Sequence, residues 1–323
     1  MKTNFSSKFA CRLVKFLEQK QALGYLYNGS VSDLRIFDRM CAELFPDESE
    51  LTADICNAWA TRRSNESNRT INRRLPFIRE FARYLIRNGE KAYVLPNGKL
   101  KEGQRYIPHI YSQAEISRIW HAFDNITPTK TYPTAHIIMP ALLRLLYCCG
   151  LRPSEALSLK TEDADLDKGI LFIAESKGHK DRIVALADDV LEMCRDFNEK
   201  MEAYIPNRAF FFAKNLSDSC NYEWLNYTFR TIVDTLNIES STGKFLRLYD
   251  FRHTFATHRL YRWMRDGKDL YAMLPYLSSY MGHAKITETL YYIHLAPGMF
   301  ESMSGWKYES AADIFPKAVE YDE

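Results

Sequence analysis

Only one place in this chain of 323 residues reads as β-structure, and that constrains the fold more than any other feature. Residues 169–175 (GILFIAE) and 180–186 (KDRIVAL) are short runs rich in Ile, Leu, Val and Phe, separated by Ser176, Lys177, Gly178 and His179. Short β-prone runs joined by a Gly-containing turn predict an antiparallel hairpin. The text before residue 90 and after residue 188 instead carries apolar residues at helical spacing, interrupted by Gly, Pro and Asn. The expected fold is mainly α with a small antiparallel β-sheet.

The first 90 residues predict four helices. The first covers 7–23 and stops at Gly24; the second starts after Ser30 or Ser32 and stops before Pro46; Thr52 caps a third, ADICNAWATRR; the fourth covers 69–87, before Asn88-Gly89. In the fourth, Ile71, Leu75, Ile78, Phe81, Ala82 and Leu85 recur at helical spacing, while Arg69, Arg73, Arg79, Arg83 and Arg87 fill much of the remainder. One side packs and the other is cationic, and Pro76 predicts a kink or a local adjustment.

Charge sharpens that contrast. Residues 1–105 carry 19 basic and 12 acidic residues, a balance of +7 that leaves −5 for the rest of a chain whose total is +2. Between Arg62 and Arg87 the arginines meet only Glu66 and Glu80, so Arg62, Arg63, Arg69, Arg73, Arg79 and Arg83 are candidates for phosphate contact.

Residues 91–110 contain Gly, Pro and Lys without a sustained apolar period, and read as a linker between a helical domain, 1–90, and a second domain, 111–323. Ser112 and Glu115 predict a capping box at the start of the second domain, and an apolar helix covers 134–149, ended by Gly150. Seven scattered cysteines without a CxxC pair support neither a disulfide framework nor a zinc site, and Cys148 and Cys149 read as packed thiols. No apolar run approaches the roughly 20 residues of a membrane span, and the polar start lacks a signal-peptide core. The expectation is a cytoplasmic protein.

Four distant stretches supply phosphate-handling groups: Arg152 in CGLRPSEAL, Lys177 in SKGHKDR, Arg252 in YDFRHTFATH, and His283 with Tyr292 in MGHAKITETLYYIH. Two guanidiniums can neutralise a pentavalent phosphate by bidentate hydrogen bonds, a lysine can protonate a departing oxygen, and a tyrosine can hold a cut end covalently. In this order the stretches resemble the tyrosine recombinase family, also called phage integrases. Residues 112–297 resemble its catalytic domain, and the helical front resembles its core-binding domain. The family's pattern runs R, K, HxxR, H or W, and Y.

The resemblance implies Arg152 and Arg252 as clamps, Glu155 as the carboxylate supporting Arg152 from a shared helix face, and Lys177, on the hairpin turn, as the proton donor to the leaving 5′ oxygen. It implies His283 as a further donor and Tyr292, rather than its neighbour Tyr291, as the nucleophile. The sequence departs from the family where HxxR reads Tyr249-Asp250-Phe251-Arg252. A phenol can donate a hydrogen bond to phosphate, but does not exchange protons near neutral pH as imidazole does. His253 is expected to support the site rather than act in it.

The implied activity is site-specific DNA recombination of the integrase or transposase type, through a 3′-phosphotyrosyl bond and a four-way junction, without ATP, metal or any other cofactor. The implied partners are double-stranded DNA and three further copies of the chain, with the segment after Tyr292 docking on a neighbour or folding back on its own subunit. Alternatives are a relaxation enzyme of the type IB topoisomerase kind and a DNA-binding accessory protein impaired in catalysis. Because the helical text starts almost at Met1, no separate arm-binding domain is expected, which favours a transposon, plasmid or chromosome-resolution enzyme.

Overall fold

The computed structural model describes residues 5–24, 28–64, 66–98, 100–101, 106–130, 132–174, 181–240, 243 and 245–295. The chain divides into two compact units, Met1–Tyr106 and Ile107–Glu323. Lys177, at the expected hairpin turn, and the segment after Leu295 lie outside the described residues.

The first unit is built from α1 (Ala10–Ala22), α2 (Asn28–Leu44), α3 (Ala53–Ala60) and α4 (Asn68–Arg87). The first helix begins later than expected because the Asp38 carboxylate draws in the backbone N–H groups of Ser6 and Ser7, at 2.7 and 3.0 Å. The second begins earlier, at Asn28. Thr52 caps α3 as expected, accepting from the Ile55 N–H, but the helix ends at Ala60 instead of reaching Arg63. Its end is taken over by Arg74, whose guanidinium donates to the carbonyls of Trp59 and Thr61 and forms an ion pair with Glu66 at 2.6 Å. Arg74 is thus a buried member of the core, not part of a cationic face.

The apolar stripe of α4 is buried at every expected position. It closes an aromatic core in which Phe16 meets Phe81 edge-on at 5.4 Å and Phe37 meets Trp59 at 5.5 Å. The helix runs unbroken through Pro76.

Most of the expected linker belongs to this unit. Ala92 pairs with Leu51 in a bridge, and the side chain of Leu95 enters the core. The Asn72 side chain both donates to and accepts from Leu100, at 2.8 and 2.9 Å. Arg79 donates to the carbonyls of Leu95, Pro96 and Gly98, so it fastens this segment rather than presenting a free guanidinium. Arg69, Arg73 and Arg83 remain exposed, Arg62 bonds to Asn68, and Arg63 lies over the Trp59 ring at 4.6 Å.

The second unit holds α5 (Gln113–Asp124), α6 (Ala135–Cys148), α7 (Pro153–Ser158), β1 (Ala164–Asp165), β2 (Ile170–Ile173), β3 (Arg182–Ala185), α8 (Asp188–Tyr204), α9 (Tyr222–Thr235), α10 (Tyr249–Arg265), α11 (Leu270–Met281) and α12 (Ile286–Leu295). The capping box of Ser112 and Glu115 opens α5. Helix α6 is apolar nearly all round because it is packed by α5, α8 and α10. The expected hairpin is β2–β3, antiparallel, with Ile170 opposite Ala185 and Ile173 opposite Arg182. A third strand, β1, adds antiparallel to β2; at two residues it is too short to leave a pattern in the text.

A second apolar cluster joins α10, α11 and α12 through Phe255, Leu260, Leu274, Leu277, Met281 and Tyr292. All seven cysteines are free, and burial raises the thiol of Cys148 to about 11 and that of Cys149 further still. Among the described residues no helix is long and apolar enough to cross a membrane.

Candidate active site

The site forms where two left-handed glycines turn their carbonyls toward two arginines. Gly150 ends α6 at φ +60° and Gly282 ends α11 at φ +63°, conformations that an L side chain adopts only with strain. The Gly150 carbonyl accepts from Nη1 of Arg252 at 2.6 Å, and the Gly282 carbonyl accepts from Nη2 of Arg152 at 3.1 Å. Neither glycine has room for a Cβ, which would stand 2.4 Å from the Phe255 ring at position 150 and 2.9 Å from Nη1 of Arg182 at position 282.

Arg152 is the N-cap of α7, not a residue inside it, with Pro153 starting the helix. The expected shared helix face is therefore replaced by a cap: Glu155, three residues on, accepts the Arg152 backbone N–H at 2.8 Å and also takes its Nη1. Both oxygens of Glu155 further accept from Arg182, at 2.9 Å each, and Nη1 of Arg252 stands 3.9 Å away. Burial pushes this carboxyl upward, but Arg182 and Arg152 overcome it and hold the group at about 2. Three guanidiniums thus share a single carboxylate, which leaves the site cationic.

Arg252 lies in the first turn of α10 and is fully buried. Its Nη2 donates to the Met281 carbonyl at 2.6 Å, and its Nε is buried without a partner. Burial and the neighbouring charge of Arg152 lower its pKa. Tyr249, at the start of the same helix, stands near Arg152 and favours its charged form.

His283 follows the Gly282 turn. Its backbone N–H donates to Ser278 at 3.0 Å, and its Nδ1 meets the Thr289 hydroxyl at 2.7 Å. Burial, with Arg252 and Arg152, lowers its pKa to about 3, so the ring is neutral with one N–H to give. The ring stacks on Tyr292 at 5.9 Å and 18°. Tyr292 is 3% exposed, and burial raises its phenol to about 12 against the opposing charge of Arg252. Tyr291 lies half-buried beside it, its ring 6.0 Å from that of Tyr292.

His253 packs against Tyr249 at 5.2 Å and Tyr292 at 5.5 Å, with its Nδ1 buried and unbonded, and burial lowers its pKa to about 3. It thus packs beside the site, as expected of a supporting residue.

The structure therefore brings together Arg152, Glu155, Tyr249, Arg252, His253, His283 and Tyr292. Arg62, Arg63, Arg69, Arg73, Arg79 and Arg83 belong to the other unit. Arg182 was not singled out from the sequence, although it shares Glu155 with Arg152. The available signal was a charged residue opening a strand whose other residues are apolar.

The model of the phage integrase family matches residues 111–299. A protein of Sinorhizobium fredii named as an integrase/recombinase is 27% identical over 304 residues, covering 91% of this chain and 95% of its own. Tyrosine recombinase XerD of Oceanobacillus iheyensis is 29% identical over 250 residues, covering 74% of this chain and 75% of its own. Among solved structures, the Tn1549 transposon integrase in complex with circular intermediate DNA superimposes with a TM-score of 0.61 at 16% identity, covering 94% of this chain and 97% of that one. At that identity the likeness shows the fold.

Proposed function

The chain belongs to the phage integrase family and is a tyrosine recombinase, a DNA breaking-and-rejoining enzyme; from that premise we propose that Tyr292 is its nucleophile in site-specific recombination. The observation that carries this reading is the meeting of Arg152, Arg252, His283 and Tyr292, from four separate stretches of the chain, in one cationic cluster.

The Tyr292 oxygen attacks the scissile phosphorus as the bond to the 5′ oxygen breaks, leaving a 3′-phosphotyrosyl ester and a free 5′ hydroxyl. Arg152 and Arg252 neutralise the charge that grows on the phosphoryl oxygens, and neutral His283, in the tautomer whose Nδ1 accepts from the Thr289 hydroxyl, donates its Nε2–H. Lys177 gives a proton to the departing 5′ oxygen. The phenol is too weak an acid to ionise unaided near pH 7; the positive charges of Arg252 and Arg152 favour its ionised form, and its proton leaves to water as the oxygen attacks.

Tyr249 stands near Arg152 and favours the charged form of that clamp. The ester conserves the energy of the diester, so a 5′ hydroxyl from a second duplex reverses the step without ATP. Exchange between two duplexes calls for four copies of the chain. Arg69, Arg73 and Arg83 supply backbone contacts from the first unit.

The test uses a nicked duplex carrying the chain's own site, recovered by selecting bound sequences from random duplex. Wild type and Tyr291→Phe should trap a covalent adduct, and Tyr292→Phe should bind without one. Adduct formation by Tyr292→Phe refutes the assignment. Relaxation of plasmids lacking the site, without exchange between plasmids that carry it, would make the enzyme a topoisomerase instead.

A further inference from the structure

Arg182 is the first residue of β3, immediately beyond the hairpin turn, yet every direction of its guanidinium points into the clamp. Nη1 and Nη2 donate to the two oxygens of Glu155, and Nε donates to the Tyr280 carbonyl in the last turn of α11, each at 2.9 Å. Its side chain is 7% exposed. All three of its nitrogens are engaged by Glu155 and the α11 carbonyl, whereas Arg252 keeps its Nε for a further acceptor, so Arg182 stands behind the clamp and not on the phosphate. Resting on the strand-transfer reading above, we infer that Arg182 is a positioning residue that sets the Arg152 clamp through Glu155.

The reason lies in how Glu155 shares its lone pairs. An ionised carboxylate offers about four acceptor sites. Here Arg152 takes one on each oxygen, through its backbone N–H and Nη1, and Arg182 takes another on each. With Arg182 in place, Glu155 cannot turn to grip Arg152 as a bidentate pair. Arg152 therefore spends one side-chain donor on Glu155 and one on the Gly282 carbonyl, and keeps the rest of its five for substrate.

A second link runs through the backbone. The same guanidinium lies under the Gly282 turn, where it leaves no space for a Cβ, and that turn both supplies the carbonyl for Arg152 and delivers His283. A lysine in its place keeps the charge but loses the planar fork, so it can satisfy neither both oxygens of Glu155 nor the Tyr280 carbonyl together with them.

The experiment measures single-turnover cleavage of the selected nicked duplex by the full chain. Arg182→Lys should cleave about 10–100-fold more slowly, the range typical of a residue that orients a ligating group, with DNA affinity within about twofold of wild type. A methylphosphonate at the scissile position removes the charge that Arg152 neutralises, and there the defect should shrink to about threefold or less. A 5′-bridging sulfur, a leaving group that needs no proton, should leave the defect in full.

Full-rate cleavage by Arg182→Lys overturns the inference. So does a defect that persists on methylphosphonate, disappears with the sulfur leaving group, or follows a parallel loss of DNA binding. If Arg182→Lys does not fold, the double variant with Glu155→Gln, which removes the buried charge, is read in its place against the same expectations. Wild type that forms no adduct sinks the strand-transfer reading and the inference with it; wild type that cleaves beside full-rate Arg182→Lys sinks the inference alone.

Discussion

Gly150→Ala tests whether the clamp depends on the backbone as strongly as the geometry implies. The added Cβ would sit 2.4 Å from Cδ1, 2.9 Å from Cε1 and 3.0 Å from Cγ of Phe255, at a residue whose φ is +60°. A side chain in the left-handed region costs about 1–2 kcal/mol, and forcing a methyl into a packed ring costs about 1–3 kcal/mol more. The sum, about 2–5 kcal/mol, corresponds to a drop of about 4–20 °C in the melting of a unit this size. Gly89 is the control, because it has φ +82° but nothing within 4 Å of its Cβ position. Gly89→Ala should therefore carry only the backbone part, about 1–2 kcal/mol.

Relief should come from shrinking the ring: Phe255→Leu combined with Gly150→Ala should be less destabilised than the two single changes added, by about 1–2 kcal/mol. Because the Gly150 carbonyl accepts from Arg252, cleavage should fall in Gly150→Ala even at temperatures where the protein is folded. Denaturant titration gives the stabilities and single-turnover cleavage gives the rate. If Gly150→Ala and Gly89→Ala were equally stable, or if Gly150→Ala cleaved at the wild-type rate, the argument from the Phe255 contact would be wrong.

Arg73→Ala should weaken DNA binding about equally across sequences, lowering the salt slope by about 1 and leaving the melting temperature unchanged, whereas Arg74→Ala should destabilise the first unit by about 3–5 kcal/mol by stranding buried Glu66. Binding isotherms at several salt concentrations, paired with thermal melts, would expose a reversal of those roles. In the DNA-free protein the ring-proton shifts of His283 and His253 should stay flat between pH 8 and 5, since both are held near 3; an inflexion near 6.5 in NMR titration counts against the burial argument. Their folded values lie below the unfolded one, so the stability they contribute is present above about 6.5 and is lost as pH falls toward 3. For Tyr292 the sign is opposite: its folded value, about 12, lies above the unfolded value of about 10, so stability falls as pH rises through that window. The phenolate absorbance of wild type minus Tyr292→Phe should appear near pH 12, and its appearance near 10 would contradict the burial of this phenol.

Much of the molecule was legible from local text. The stripe of α4, the Ser112–Glu115 capping box and the β2–β3 hairpin were legible because apolar period, cap chemistry and turn residues act within a few positions of one another. The errors fell where a distant group intervened. Asp38 delays α1, Arg74 closes α3 early, and Leu95, Leu100 and Arg79 draw the expected linker onto the first unit. Each involves a polar or apolar partner far away in the chain, which periodicity cannot register.

The same division runs through the active site. The types and order of Arg152, Arg252, His283 and Tyr292 were set by short motifs, since each sits beside its own cap, turn or helix start. How their charges are shared was decided by folding. Glu155 meets Arg182 from 27 residues away, and Arg252 meets the Gly150 carbonyl from 102 residues away. Burial then neutralises two histidines and raises the Tyr292 phenol. Residue identity follows from covalent chemistry and can be read along the chain, whereas protonation and hydrogen-bond partners depend on desolvation and distance, which exist only once the elements pack.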